Sequence, residues 1–153
     1  MNLRVEDARK ELLPVLAEMR SEFWRDQTTK GLRDPVPGCG VEDIARLLGR
    51  SRSHLLIALK DDQPVGYLFG QTKILPGAFA HKISSVEEVL TLPAVRREGV
   101  ARRLFETALT RFRDDESNRV QLRVLANNVE AQAFWRSVGF SAYLTTLELE
   151  TVA

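Results

Sequence analysis

Between Lys82 and Phe112 a strand-like stretch gives way to a run with helical period, and the change falls across a proline, an arginine-rich turn and a glycine. KISSVEEVLTL reads as a strand that Pro93 stops. After Gly99, the residues Val100, Leu104, Phe105, Ala108, Leu109 and Phe112 fall on one face of a helix, which dissolves into Asp114-Asp115-Glu116-Ser117-Asn118. A strand that feeds a helix through a short turn requires a sheet with at least one helical layer on it. The rest of the chain must be arranged around that unit.

Upstream, Leu12, Leu13, Val15, Leu16, Met19 and Phe23 recur at helical spacing, with Pro14 either in the first turn or at a kink. The segment from Arg25 to Gly40 is rich in Pro and Gly and reads as a loop, and Val41, Ile44, Ala45, Leu47 and Leu48 give a short second helix. HLLIALK and PVGYLFGQTKI, joined by Asp61-Asp62-Gln63-Pro64, read as a hairpin with a slightly long turn. Downstream, RVQLRVLA is a strand, Val129 to Val138 a helix, and FSAYLTTLELE a final alternating strand. The expected order is two helices, three strands, helix, strand, helix, strand, with any strand before the first helix very short or missing. No linker or repeat divides the chain, so residues 1–153 read as one α/β domain.

Composition narrows the function. With 22 Lys and Arg against 21 Asp and Glu, the net charge is +1, and nothing global attracts nucleic acid or an anionic membrane. Seven arginines fall between Arg96 and Arg119, but acidic residues are interspersed, which argues against a nucleic-acid face. The single cysteine, Cys39, excludes an internal disulfide, and with only His54 and His81 it makes no usual zinc site, so no metal is expected. Apolar runs such as Leu55 to Leu59 fall far short of the ~20 residues of a membrane span, and MNLRVEDARK has no apolar signal core. The expected location is cytoplasmic. There is no GxSxG elbow and no P-loop, and the Gly38-Cys39-Gly40 run lacks the rest of a dinucleotide fingerprint.

The turn itself carries the chemistry. A strand stops at Pro93, Arg96, Arg97, Arg102 and Arg103 follow, and Gly99 opens a helix, so free backbone N–H groups, a positive helix end and guanidinium charges converge. This is either an anion cradle or a solvated arginine turn. Gly99 permits close approach of an anion, and Ala101 keeps the first turn slim.

Arg96-x-x-Gly99-x-Ala101 resembles the acyl-CoA pyrophosphate motif of the GCN5-related N-acetyltransferase (GNAT) superfamily. Asn128-x-x-Ala131, followed by Phe134, Trp135, Gly139 and Phe140, is similar to the family's second signature, and both occur in the family's order. The resemblance covers nearly the whole chain. It implies a mixed, mostly antiparallel sheet flanked by helices, whose fourth and fifth strands, here Lys82 to Leu92 and Arg119 to Ala126, splay apart around the pantetheine arm. It implies acetyl-CoA as acyl donor, backbone groups of Leu90, Thr91 and Leu92 on the pantetheine and the thioester carbonyl, and the loop Arg96-Arg97-Glu98-Gly99-Val100-Ala101-Arg102 on the pyrophosphate. Asn128 would contact the arm or orient its flanking helix.

Family chemistry is attack of an amine on the thioester, and an ammonium of pKa near ~10 must first lose a proton. Glu87 and Glu88 lie just before the thioester segment, and strand alternation points one of them into the acceptor cleft. Glu87 is preferred by resemblance as the base; the pair also fits a solvated edge. Trp135 stands where the family usually has an acid tyrosine, and indole is no acid at neutral pH. A thiol of pKa ~8.5 leaves as thiolate at a cost of only about 2 kcal/mol. Tyr143 is either a substitute acid or a packing tyrosine, and Trp135 either core or pantetheine-channel wall. The expected activity is transfer of an acetyl group to a primary amine. Glu22, Asp26, Glu87 and Glu88 would suit a small cationic amine, such as an aminoglycoside or polyamine, or a lysine. The rivals are a protein or peptide N-acetyltransferase and a non-catalytic acyl-CoA-binding module. Homodimers are common among such folds, though no residue in the sequence demonstrates one.

Overall fold

Five strands form one sheet whose spatial order is the order of the chain, β1-β2-β3-β4-β5, in a computed structural model that describes residues 2–77 and 81–152. The elements are β1 (Leu3–Asp7), α1 (Leu13–Thr29), α2 (Val41–Leu48), β2 (Ser53–Lys60), β3 (Gln63–Leu75), β4 (His81–Thr91), α3 (Val100–Asp114), β5 (Arg119–Leu122) and α4 (Val129–Ser137). Neighbours are antiparallel except β4 and β5, which run parallel through the α3 crossover. The α/β class and the mostly antiparallel sheet are as expected.

Three details differ from the sequence reading. The first strand is real: β1 pairs along its length with β2, from Leu3 opposite Lys60 to Asp7 opposite Leu56. Only Leu3 and Val5 carry its apolar pattern, both packing toward α3, and two residues are too few to signal a strand. The β2–β3 turn is tight, because Asp61 and Asp62 both take positive φ (49° and 67°) and Lys60 pairs with Gln63. Helix α1 runs on to Thr29, into the segment read as loop, with Pro14 in its first turn.

The sheet separates two cores. On one face Leu16, Met19 and Phe23 of α1 and Ile44 and Leu47 of α2 cover Leu55, Ile57, Tyr67, Phe69 and Leu90. On the other, Leu104, Phe105, Ala108 and Phe112 of α3 cover Leu56, Ala58, Leu68 and Val86. Burying these side chains is the main force holding the layers together, at roughly 1.5–3 kcal/mol for each large apolar residue.

Two irregularities of β4 shape everything that follows. Phe69 pairs with Glu88 but Gly70 with Val86, so Glu87 is an extra residue, a β-bulge. Gly70 stands opposite, and a Cβ there would meet the Phe112 ring at 2.7 Å. The second irregularity is that pairing with β5 ends at Val86–Leu122, so residues 87–91 of β4 have no strand on that side. The expected splay of the fourth and fifth strands is this gap, and β5 is half as long as the stretch to Ala126 suggested.

The final alternating strand is not formed. After Gly139 the segment from Phe140 to Val152 runs outside the sheet, and Leu144, Leu147, Leu149 and Val152 are 81–89% exposed. Phe140 still packs on Phe105 and Trp135, but beyond it the contacts involve charged groups: Arg119 lies over the Tyr143 ring at 5.4 Å, and Arg33 pairs with Glu148 and, at 2.8 Å, with Glu150. Strand pattern alone does not make a ladder; the segment must also be laid in register along an edge, and beside β5 it is not. Among the described residues no helix is long and apolar enough to cross a membrane.

Candidate active site

The bulge decides where the two glutamates go. Before it, Ser84 and Val86 face α3 and Ser85 faces the other way; after it, Glu88 and Leu90 face α1 while Val89 faces α3. The expectation that Glu87 and Glu88 point to opposite faces is therefore corrected. The extra residue shifts the phase by one, and both carboxylates come to the α1 side, lining one cleft of about 360 Å³. Its other walls include Arg20 and Trp24 of α1, Gly38, Asp43 and Arg46 around the start of α2, Arg50, Phe69 and Gln71.

The two acids do different work. Glu88 is 3% exposed and closed in: Oε1 accepts from Arg20 Nε (2.9 Å) and Tyr67 Oη (2.9 Å), and Oε2 from Arg20 Nη2 (2.8 Å). Arg20 Nη1 also donates to Gly38 O (2.7 Å), tying the loop before α2 to α1 and β4. Burial opposes the Arg20 charge, but hydrogen bonds and attraction from Glu88, with smaller help from Tyr67 and Cys39, keep its pKa above the ordinary arginine value. Burial, then the nearby Glu88 charge, pushes the Tyr67 phenol well above its usual range, so it stays a donor. Arg20 was not singled out in the sequence, where it is one more charge on a helix. Its place in the apolar stripe, one residue after Met19, is the signal that could have found it.

Glu87 is exposed and open. Its Oε1 accepts from Ser85 Oγ (2.6 Å) and Gln71 Nε2 (3.0 Å), both neutral donors, and no cation lies within 4.0 Å among the described residues. Trp24 lines the same cleft with its indole N–H buried and unpartnered. Glu22 and Asp26, expected to add negative charge, do not line the cleft, and Asp26 is paired with Lys30 at 2.8 Å.

The far end of β4 leads into the second half of the site. Leu90 pairs with Tyr67 and Thr91 with Gly66, Leu92 N donates to Val65 O (2.9 Å), and the side toward β5 is open. Thr91 Oγ1 is buried without a partner. A 3-10 turn over Pro93–Val95 follows, then Arg97 and Gly99 in left-handed conformation (φ 67° and 83°), then α3. The first intrahelical bond is Arg103 N to Gly99 O, and no side chain caps the helix, so the N–H groups of Val100, Ala101 and Arg102 point outward unmet. Nothing lies within 4 Å of a Cβ built on Gly99. Glu98 is drawn aside by Lys60 (2.7 Å), and Arg97, Arg102 and Arg103 are exposed with no carboxylate within 4.0 Å among the described residues. An uncapped helix end with open space before it and unpaired guanidinium groups around it fits a pyrophosphate.

Asn128 is buried and caps α4, its Oδ1 accepting from Ala131 N (3.2 Å). Trp135 packs edge-on against Phe105, Phe134 and Phe140, at centroid distances of 5.6, 4.9 and 5.4 Å. Tyr143 lies away from the cleft, 68% exposed on the unpaired tail. Among the described residues no cluster of His, Cys, Asp and Glu could hold a metal ion.

A mixed sheet split beside an uncapped helix end, with a cleft on the other side of the split strand, is the architecture of an acyl-CoA-dependent acyltransferase. The model of the acetyltransferase (GNAT) family matches residues 16–140, and the chain belongs to that family as an N-acetyltransferase. No curated protein matches it in sequence. Among solved structures it is similar to one described as a transcriptional regulator from Bacillus halodurans, with 19% identity, a TM-score of 0.81 and coverage of 97% of this chain and 99% of that one. It is also similar to aminoglycoside N-acetyltransferase AAC(6')-Iy in complex with CoA, with 16% identity, a TM-score of 0.80 and coverage of 99% and 96%. An aminoglycoside 6'-N-acetyltransferase from Acinetobacter haemolyticus follows at 22% identity and a TM-score of 0.77, covering 100% and 99%.

Proposed function

We propose that the protein transfers the acetyl group of acetyl-CoA to the primary amine of a small molecule in a ternary complex, with Glu87 as general base. The carrying observation is that one strand, β4, joins an open cleft holding an unpaired carboxylate to an uncapped helix end ringed by arginines. Solved aminoglycoside acetyltransferases of the same fold support a small-molecule amine as acceptor. Val100, Ala101 and Arg102 N–H, with Arg96, Arg97 and Arg102 side chains, take the pyrophosphate, and the loop peptides of Glu98 and Gly99 shape its seat. Backbone groups of Leu90, Thr91 and Leu92 hold the pantetheine and the thioester oxygen, where negative charge develops. Asn128 holds α4 and Trp135 forms the apolar wall of the channel.

Glu87 accepts one ammonium proton through a water, the amine lone pair then bonds to the thioester carbon, the C–S bond breaks, and the nitrogen gives its second proton to solvent as the amide forms. The thiolate takes its proton from solvent, since its departure costs only about 2 kcal/mol and no acid tyrosine is needed. Glu87→Gln is expected to lower kcat by roughly 10²-fold. Acetyl-CoA affinity should stay within about threefold of the parent by calorimetry. An unchanged kcat would take the base role from Glu87.

The working unit is a homodimer in the cytoplasm. The tail 141–152 has a strand's pattern and exposed leucines, while the outer edge of β5 is unpaired and no residue of α4 is fully buried. Laying each tail on the β5 edge of the other copy would remove both liabilities, at roughly 1.5–3 kcal/mol per apolar side chain covered. Light scattering at micromolar concentration should return about twice 17.3 kDa for the full chain and a monomer for a chain ended at Phe140. A full chain that is monomeric would overturn the exchange.

A further inference from the structure

The charges of the acceptor cleft are not those of a site for a polycation. Three carboxylates, Asp43, Glu87 and Glu88, share its walls with three guanidinium groups, Arg20, Arg46 and Arg50. Two pairs are already closed: Arg20 with Glu88 at 2.8 Å, and Arg46 with Asp43 at 2.9 Å. What remains is one free charge of each sign. Glu87 touches only neutral donors, and Arg50 is exposed with no carboxylate within 4.0 Å among the described residues.

The two free charges line the same cleft. Arg50 follows α2 and stands three residues before Ser53, Ser53 pairs with Gln71 of β3, and the Gln71 amide donates to Glu87. One strand therefore separates the anchor of the cation from the anchor of the anion. Trp24 adds an unmet N–H at the same cleft. A polycation would find a single free carboxylate there and at least one uncompensated guanidinium facing its other ammonium groups.

We infer that the acceptor is a small amine that also bears a carboxylate, an amino acid or a derivative with a free acid, whose amine faces Glu87 while Arg50 takes the carboxylate. A guanidinium and a carboxylate meet through two parallel hydrogen bonds, so Arg50 orients the acceptor as well as attracting it. The inference rests on the reading of this cleft as the acceptor site, and it goes further by setting the acceptor's second charge. It departs from the aminoglycosides of the similar solved structures. Arg50 is a specificity residue here and takes no part in the proton transfer.

The test is acetyl-CoA-dependent thiol release by the full chain with matched acceptors: lysine and cadaverine, ornithine and putrescine, glutamate and 4-aminobutyrate with its methyl ester, and sisomicin as the polycation. A phosphate-bearing amine, phosphoethanolamine, distinguishes a carboxylate from another anion. In at least one matched pair, kcat/KM should be tenfold or more higher for the acid than for the amine or ester lacking that carboxylate. Arg50→Ala should remove the difference through KM, and Arg50→Glu should reverse it in favour of the diamine. Because Arg50 is exposed and unpaired, the melting temperature of both variants should match the parent, which separates lost recognition from lost fold. Equal or better turnover of amines lacking the carboxylate, of sisomicin or of phosphoethanolamine would overturn the inference while leaving the acetyltransferase reading standing. So would a preference that survives Arg50→Glu. Thiol release with none of the acceptors, in a chain that binds acetyl-CoA, would overturn both.

Discussion

Gly99→Glu is expected to abolish acetyl-CoA binding in a chain that still folds. The site needs two things at this residue: a backbone in the left-handed region (φ 83°) and empty space before the uncapped N–H groups of Val100, Ala101 and Arg102. Glutamate can reach the first at a cost of order 1–3 kcal/mol, and because nothing lies within 4 Å of its Cβ no neighbour is displaced. It destroys the second, since its carboxylate can fold onto the helix end and meet Arg97 and Arg102, taking the place and the charge complement of a phosphate. Calorimetry should show affinity reduced by 10³-fold or more, with near-parent far-UV circular dichroism. Gly99→Asn, which tolerates the left-handed region and adds no charge, should keep affinity within about tenfold. A folded Gly99→Glu variant with parent affinity would remove the pyrophosphate from this turn.

The second large effect concerns stability. Glu88→Gln should destabilise the fold by about 3–5 kcal/mol, because it leaves the Arg20 guanidinium buried without its counter-charge while preserving shape. Removing both charges, Arg20→Met with Glu88→Gln, should recover most of that loss, since an apolar replacement for a buried pair is often neutral. Urea unfolding of the two variants and the parent measures it. If Glu88 were instead the base, Glu88→Gln would lower kcat with little change in the urea midpoint, which is the opposite result. The same cluster sets a limit at high pH. The folded state keeps the Tyr67 phenol protonated above its ordinary pKa of 10.0, whereas the unfolded chain releases that proton near pH 10. The contribution is therefore complete below pH 10 and is lost as the pH rises beyond it, and Tyr67→Phe should remove that part of the alkaline slope.

Much of this site could be seen in the sequence because its parts are local. The strand that stops at Pro93, the arginines, Gly99 and the apolar face of α3 lie within a run of about thirty residues, and their geometry follows from backbone rules that hold in any fold. The cap at Asn128 is likewise a three-residue affair. For such features the residue types and their spacing suffice.

What the tertiary structure alone decided depends on pairing between distant segments. The phase of Glu87 and Glu88 was set by a bulge opposite Gly70, and which residue is the extra one is decided only when the strand is laid against β3. The difference between a buried, neutralised Glu88 and an open Glu87 came from Arg20, 68 positions away. That the unpaired Arg50 shares a cleft with Glu87 became visible only when the segment after α2 and the bulged strand came to line the same walls. The tail makes the same point from the other side, since FSAYLTTLELE has every mark of a strand and lies outside the sheet. Local sequence determines what conformation a segment prefers; which charges are cancelled and which edges are filled is settled by contacts whose entropy cost is met only when the whole chain is assembled.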